Sequence, residues 1–263
     1  MNFRQLATVV ALLGALSQSA QAFEVKVEGI SGEVRSNVDA LLQPVKENSF
    51  TEVRQTYRAQ VDRAIKRALQ ALGFYQSIIH YTWQEPKGKK PAVLVAKIHL
   101  GKPARIAATS LTIRGEAKDD EVFEALKENL PKKGRQLNHG EYESFKSSIE
   151  RAAIRHGYFD GEFVKSELGV DAVENKAYWT FDYDAKTRYR FGDIHFIGSQ
   201  IREPIMVNLL PMKKGDPYTS DDISELNRRL SATGWFNSVV VSPDIFSGRG
   251  SPDKSLPISF STG

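Results

Sequence analysis

Cysteine is absent from all 263 residues. That excludes disulfides and Cys-ligated zinc, so the chain must hold together by packing alone. Histidine is sparse: His80, His99, His139, His156 and His195. None stands in an HExxH arrangement and no two are spaced i, i+4, so the helical zinc-hydrolase signature is missing. Neither a G-x-S-x-G elbow nor a phosphate-binding P-loop occurs. The carboxylate pairs Glu141/Glu143 and Asp160/Glu162 have no nucleophile or metal ligands beside them in sequence. The first reads as acids at a helix start and the second flanks Gly161 at a strand start. The chain reads as a non-enzyme, with no catalytic, cofactor-binding or metal-ligating residue assigned.

Long hydrophobic runs are also missing. The one apolar stretch, Leu6–Leu16, is 11 residues long, against roughly 20 needed to span a bilayer. It follows Arg4 and precedes the small residues Ala20-Gln21-Ala22. This is the pattern of a secretory signal peptide over 1–22, cut between Ala22 and Phe23. No cysteine follows the cut, so a lipoprotein is not expected. Strong charge of either sign is lacking too. The 36 Lys and Arg against 32 Asp and Glu give +4, one unit of which leaves with Arg4. That balance carries no nucleic-acid footprint.

What is present is repetition. Gly73, Gly157 and Gly234 are each followed by two aromatics: Phe74-Tyr75, Tyr158-Phe159 and Trp235-Phe236. A second series, Gly29, Gly115 and Gly198, keeps step with the first. Two markers in phase indicate three repeats of about 80 residues. Each reads as strand, helix, helix, strand, strand. In the third, "YRFGDIHFI" is an alternating strand and "REPIMVNLLP" a short helix. A second helix capped at Thr219 or Ser220 carries the stripe Ile223, Leu226 and Leu230. In the first, Val53, Tyr57, Val61, Ile65, Ala68 and Leu72 form the stripe, and "QEPKGKK" joins a strand hairpin. The loops "KKGRQL" and "KKGDPY" recur at one position, and their lysines read as solvated. The glycines at 73, 157 and 234 are expected to end helices in the left-handed conformation. Their aromatic neighbours are expected to anchor the following strand to the core. The short linkers Gly101-Lys102-Pro103 and Asp184-Ala185-Lys186 predict a semi-rigid rod.

These motifs resemble POTRA domains, the periplasmic repeats of outer-membrane assembly factors. "VEGISG" (27–32), "QALGFYQ" (70–76), "FIGSQIR" (196–202) and "ELNRRLSATGWFNSVVV" (225–241) look like the TamA family of translocation and assembly module subunits. The resemblance implies an α+β fold of three tandem β-α-α-β-β domains, each a three-stranded mixed sheet with two helices on one face. Their bounds would be 23–101, 102–185 and 186–263. It implies that the strand after the second helix lies at a sheet edge, here 75–83, 159–166 and 236–242. Tyr75, Ile78, Phe159, Val164, Asn237 and Val240 are then candidate partner-binding residues. For Ile78, Val164 and Val240 the plainer expectation is burial. The implied partners are a TamB-like inner-membrane-anchored subunit, met by the first repeat, and unfolded outer-membrane or autotransporter clients. The implied setting is the periplasm at the outer membrane. Family members continue into a membrane β-barrel, and no barrel-type strand series occurs before Gly263. A fragment is expected, with a free-standing periplasmic adaptor, a cell-wall-binding module or a non-functional truncated product as the alternatives.

Overall fold

A computed structural model describes residues 23–47, 53–86, 88, 90–197 and 201–262. The leader, Lys87, Lys89 and Gly198 lie outside the described residues. Contacts divide the chain into two compact units. Of the described residues, one unit holds those up to Leu69 together with Ser77–Leu100; the other holds Gln70–Gln76 and those from Gly101 onward.

The first unit contains β1 (Glu24–Glu28), α1 (Gly32–Glu47), α2 (Arg54–Ala71, whose last residues belong to the other unit), β2 (Ile78–Gln84) and β3 (Val93–His99). The strand order is β1-β3-β2, with β1 parallel and β2 antiparallel to the central β3. Alternation on β3 buries Leu94, Ala96 and Ile98, and α1 and α2 bury Val38, Leu42, Tyr57, Val61 and Ile65. Asn37 donates from its Nδ2 to the Ala68 carbonyl at 2.7 Å, tying α1 to α2. Val53, expected in the helical stripe, is 56% exposed. It lies just before α2 begins and so never joins the periodic face.

The second unit repeats the plan twice. First come β4 (Arg105–Arg114), a 3₁₀ turn (Gly115–Asp119), α3 (Glu121–Glu128), α4 (His139–Arg155), β5 (Glu162–Asp171) and β6 (Lys176–Asp184). Then follow β7 (Arg190–Ile197), α5 (Glu203–Val207), α6 (Ser220–Ala232), β8 (Val239–Pro243), α7 (Ile245–Gly250) and β9 (Ser255–Thr262). The sheets are ordered β4-β6-β5 and β7-β9-β8 with the same mixed polarity. On β6, Ala177, Trp179, Phe181 and Tyr183 alternate into the core; on β9, Leu256, Ile258 and Phe260 do so. Asp120, Asn138 and Thr219 cap α3, α4 and α6 by accepting hydrogen bonds from first-turn N–H groups. The helix α7 has no counterpart in the sequence reading. Asp244 caps it by accepting from the Ser247 N–H at 2.9 Å, and it replaces the hairpin turn of the other repeats.

Two joints within this unit share one geometry. Gly73 and Gly157 stand at φ +86° and +82° just past their helices. The Gly73 carbonyl accepts from Ala104 N–H at 2.8 Å, and the Ala104 carbonyl accepts from Leu137 N–H at 2.9 Å. The Gly157 carbonyl accepts from Tyr189 N–H at 2.9 Å, and the Tyr189 carbonyl accepts from Tyr218 N–H at 2.9 Å. Behind each, the Lys-Lys-Gly loop folds onto the strand start. Gly134 N–H reaches the Ile106 carbonyl at 2.8 Å, and Gly215 N–H reaches that of Phe191 at 2.7 Å. The loops are thus structural seats for the preceding turn, with Leu137 and Tyr218 as their contact residues.

Candidate functional site

The three candidate strands lie at sheet edges, since among the described residues β2, β5 and β8 each pair on one side only, with β3, β6 and β9. An edge leaves a row of N–H and C=O groups for another chain. The edges differ in quality. β2 runs seven residues in unbroken register, Ile78 opposite His99 through Gln84 opposite Val93. β5 is longer, but its register shifts between Phe163 and Lys165, which makes Val164 the extra residue of a bulge. β8 has five residues and ends on Pro243, which cannot donate.

Ile78, Val164 and Val240 are 59%, 58% and 54% exposed, so the expected burial does not occur. The strand pleat places each on the face turned away from the helices, where no layer of the described residues covers it. Asn237 is exposed and precedes β8. Tyr75 and Phe159 also precede their strands, and both are engaged. The Tyr75 hydroxyl hydrogen-bonds His139 Nε2 at 2.7 Å. The Phe159 ring lies 5.3 Å from that of Tyr189 and 5.1 Å from that of Tyr218. Burial lowers the His139 imidazole below its ordinary 6.5, with Glu143 opposing. In the third turn, Phe236 packs on Phe260 at 5.5 Å. Trp235, expected to be a core anchor, is 46% exposed.

Three of the four carboxylates of the sequence reading have structural partners, Glu162 meeting Lys186 Nζ at 3.1 Å. Asp160 accepts from the Tyr189 hydroxyl at 2.8 Å and from Lys254 Nζ at 3.0 Å. Arg135 bridges Glu141 at the start of α4. Among the described residues no three His, Cys, Asp or Glu gather as a metal site, and no helix is long and apolar enough to cross a membrane. The seats Ala104/Leu137 and Tyr189/Tyr218 were not singled out by sequence reasoning. Their signal was the recurring Lys-Lys-Gly loop at a fixed place in the repeat.

Residues 24–100 match the family described as POTRA domain, TamA domain 1. Residues 189–261 match the POTRA family described as surface antigen variable number repeat. Among solved structures, POTRA3-5 of Haemophilus influenzae BamA is 15% identical with a TM-score of 0.47, over 92% of this chain and 96% of that one. BamA from Haemophilus ducreyi lacking POTRA domains 1-3 is 17% identical with a TM-score of 0.47, over 60% of this chain and 29% of that one. CdiB from Escherichia coli is 13% identical with a TM-score of 0.34, over 89% of this chain and 36% of that one. The family matches and the repeated mixed sheets agree: the chain is a module of three tandem POTRA domains, and its first repeat is of the TamA type.

Proposed function

We propose that this chain is the periplasmic POTRA region of an outer-membrane assembly or translocation factor, and that it takes up extended polypeptides by β-augmentation. The observation that carries the reading is β2. It is an unbulged, proline-free edge of seven residues, open on one side, with Ile78 exposed beside the backbone row. Backbone pairing supplies affinity that is tolerant of client sequence, and an exposed apolar side chain adds modest selectivity. The partner this first repeat fits is the extended end of a TamB-like subunit. Unfolded outer-membrane clients, autotransporters among them, would use the same chemistry along the module. No residue is given a catalytic role.

The test is capture of the chain by an immobilised C-terminal segment of a TamB-like subunit, with and without Ile78→Lys. A charge on an edge strand blocks strand addition without disturbing a buried layer. Loss of capture with the fold intact supports the reading. Equal capture by both chains sinks edge pairing at β2.

A further inference from the structure

Two imidazoles meet across the first sheet. His80 lies on β2 and His99 on β3, and the register sets Ile78 opposite His99 and His80 opposite Lys97. His80 and His99 are therefore diagonal neighbours on one face, a separation that long side chains bridge. Their rings stand edge to face, with centroids 5.9 Å apart and planes at 78°. Both residues are exposed. Among the described residues neither imidazole has a hydrogen-bond or ion-pair partner. The remaining histidines are placed differently. His139 is held by the Tyr75 hydroxyl, His156 stands 3.9 Å from Asp120, and His195 lies on β7 in the other unit.

An imidazole nitrogen binds zinc at about 2.0–2.1 Å, so each ring centre stands about 3 Å from the ion, and two rings can share one ion at centroid separations of about 5–6 Å. The observed 5.9 Å falls inside that reach. Rotating either exposed side chain brings the rings to the shorter, tetrahedral separation without moving the backbone. The donor set selects the metal. Imidazoles suit zinc, copper and nickel, whereas magnesium and calcium call for oxygen ligands. Lys97 is the cation that opposes an ion here. In the register it stands between His80 and Glu28 of β1, so a carboxylate offsets part of its charge.

We infer that His80 and His99 form a two-imidazole site for a divalent transition-metal ion of the zinc and copper class, set across the β2–β3 pair. The ion clips the edge strand β2 to the central strand β3 and keeps its other coordination positions open to solvent. An ion that binds only the paired strands stabilises their pairing as its concentration rises. Periodicity and helical motif spacing miss the site, because the two histidines converge only through strand register.

The test titrates the full chain with Zn²⁺ in neutral, chelator-free buffer. The imidazole signals of His80 and His99 should shift together along one binding curve, ahead of those of His139, His156 and His195. His80→Gln and His99→Gln should each weaken binding at least about tenfold, and the double variant no further, because the chelate is lost with either ring. Both side chains are exposed, so neither substitution disturbs the core. With zinc at about ten times its Kd, amide exchange along the β2–β3 ladder should slow about tenfold in the parent and stay unchanged in the variants. Separate binding curves for the two rings, or a loss below about twofold in either single variant, would mean two independent surface imidazoles and overturn the inference. Unchanged exchange in the zinc-saturated parent would overturn it as well.

Discussion

Tyr218 packs directly on Gly157. A Cβ built at residue 157 would stand 3.0 Å from the Tyr218 Cβ and 3.2 Å from its Cδ1. The backbone there is also left-handed, at φ +82°. Gly157→Ala therefore meets two penalties, a conformational one of about 1–2 kcal/mol and a steric one of about 1–3 kcal/mol. Gly234→Ala meets only the first. Chemical unfolding of the two variants should separate them by more than about 1 kcal/mol. Equal losses would contradict this account of the joint.

The aromatic partners should show the same contrast. Phe159 sits between Tyr189 and Tyr218, so Phe159→Ala should cost about 2–3 kcal/mol. Among the described residues, the ring contact of Trp235 is the edge of Phe236 at 6.4 Å. Trp235→Ala should change stability by less than about 0.5 kcal/mol. Thermal unfolding of both variants checks the pair.

Edge quality predicts an order of effects on capture. Ile78→Lys should weaken binding to extended peptides more than Val164→Lys, because the bulge at Val164 already disrupts the ladder that an added strand would need. Both positions are exposed, so melting temperatures should stay within a degree or two of the parent, about 0.5 kcal/mol or less. Peptide titrations of the two variants would reveal a reversed order.

Acid should loosen the joint at Asp160. Burial pushes that carboxyl up, but hydrogen bonds from Lys254 and Tyr189 and the charges of Lys254 and Arg249 hold it below its ordinary 3.8. The native state then binds fewer protons than the unfolded state. The contribution is complete above the unfolded value of about 3.9 and is lost as pH falls through the native one. Asp160→Asn should cost about 1 kcal/mol at pH 7, since the group is partly exposed. The gap between variant and parent should close near pH 2, as unfolding titrations would show.

His139 should add a second pH dependence at milder acidity. Its imidazole is less basic in the folded chain than its ordinary 6.5, because burial disfavours the charged form. Stability should fall as pH drops through 6.5 and level off below the native value. His139→Gln should flatten that segment of the profile. A profile identical to the parent between pH 7 and 5 would remove the assignment.

Much of this architecture is legible one residue at a time. The left-handed glycines, the cap at Thr219, and the buried stripe of Leu226 and Leu230 on α6 follow from backbone sterics and helical periodicity. These preferences act over a few residues, and a chain repeating them three times announces a repeated unit. The helix α7 escaped because six residues carry too short a period to read.

Tertiary structure decided what each copy does. Gly73, Gly157 and Gly234 look alike in sequence, yet two are buried under a neighbouring strand start and one is open. Ile78, Val164 and Val240 read as apolar core candidates, yet the pleat turns all three outward. Local preference sets a residue's conformation; which surface then covers it depends on partners 30 or more residues away. Those partners are supplied only by the packing of one repeat on the next.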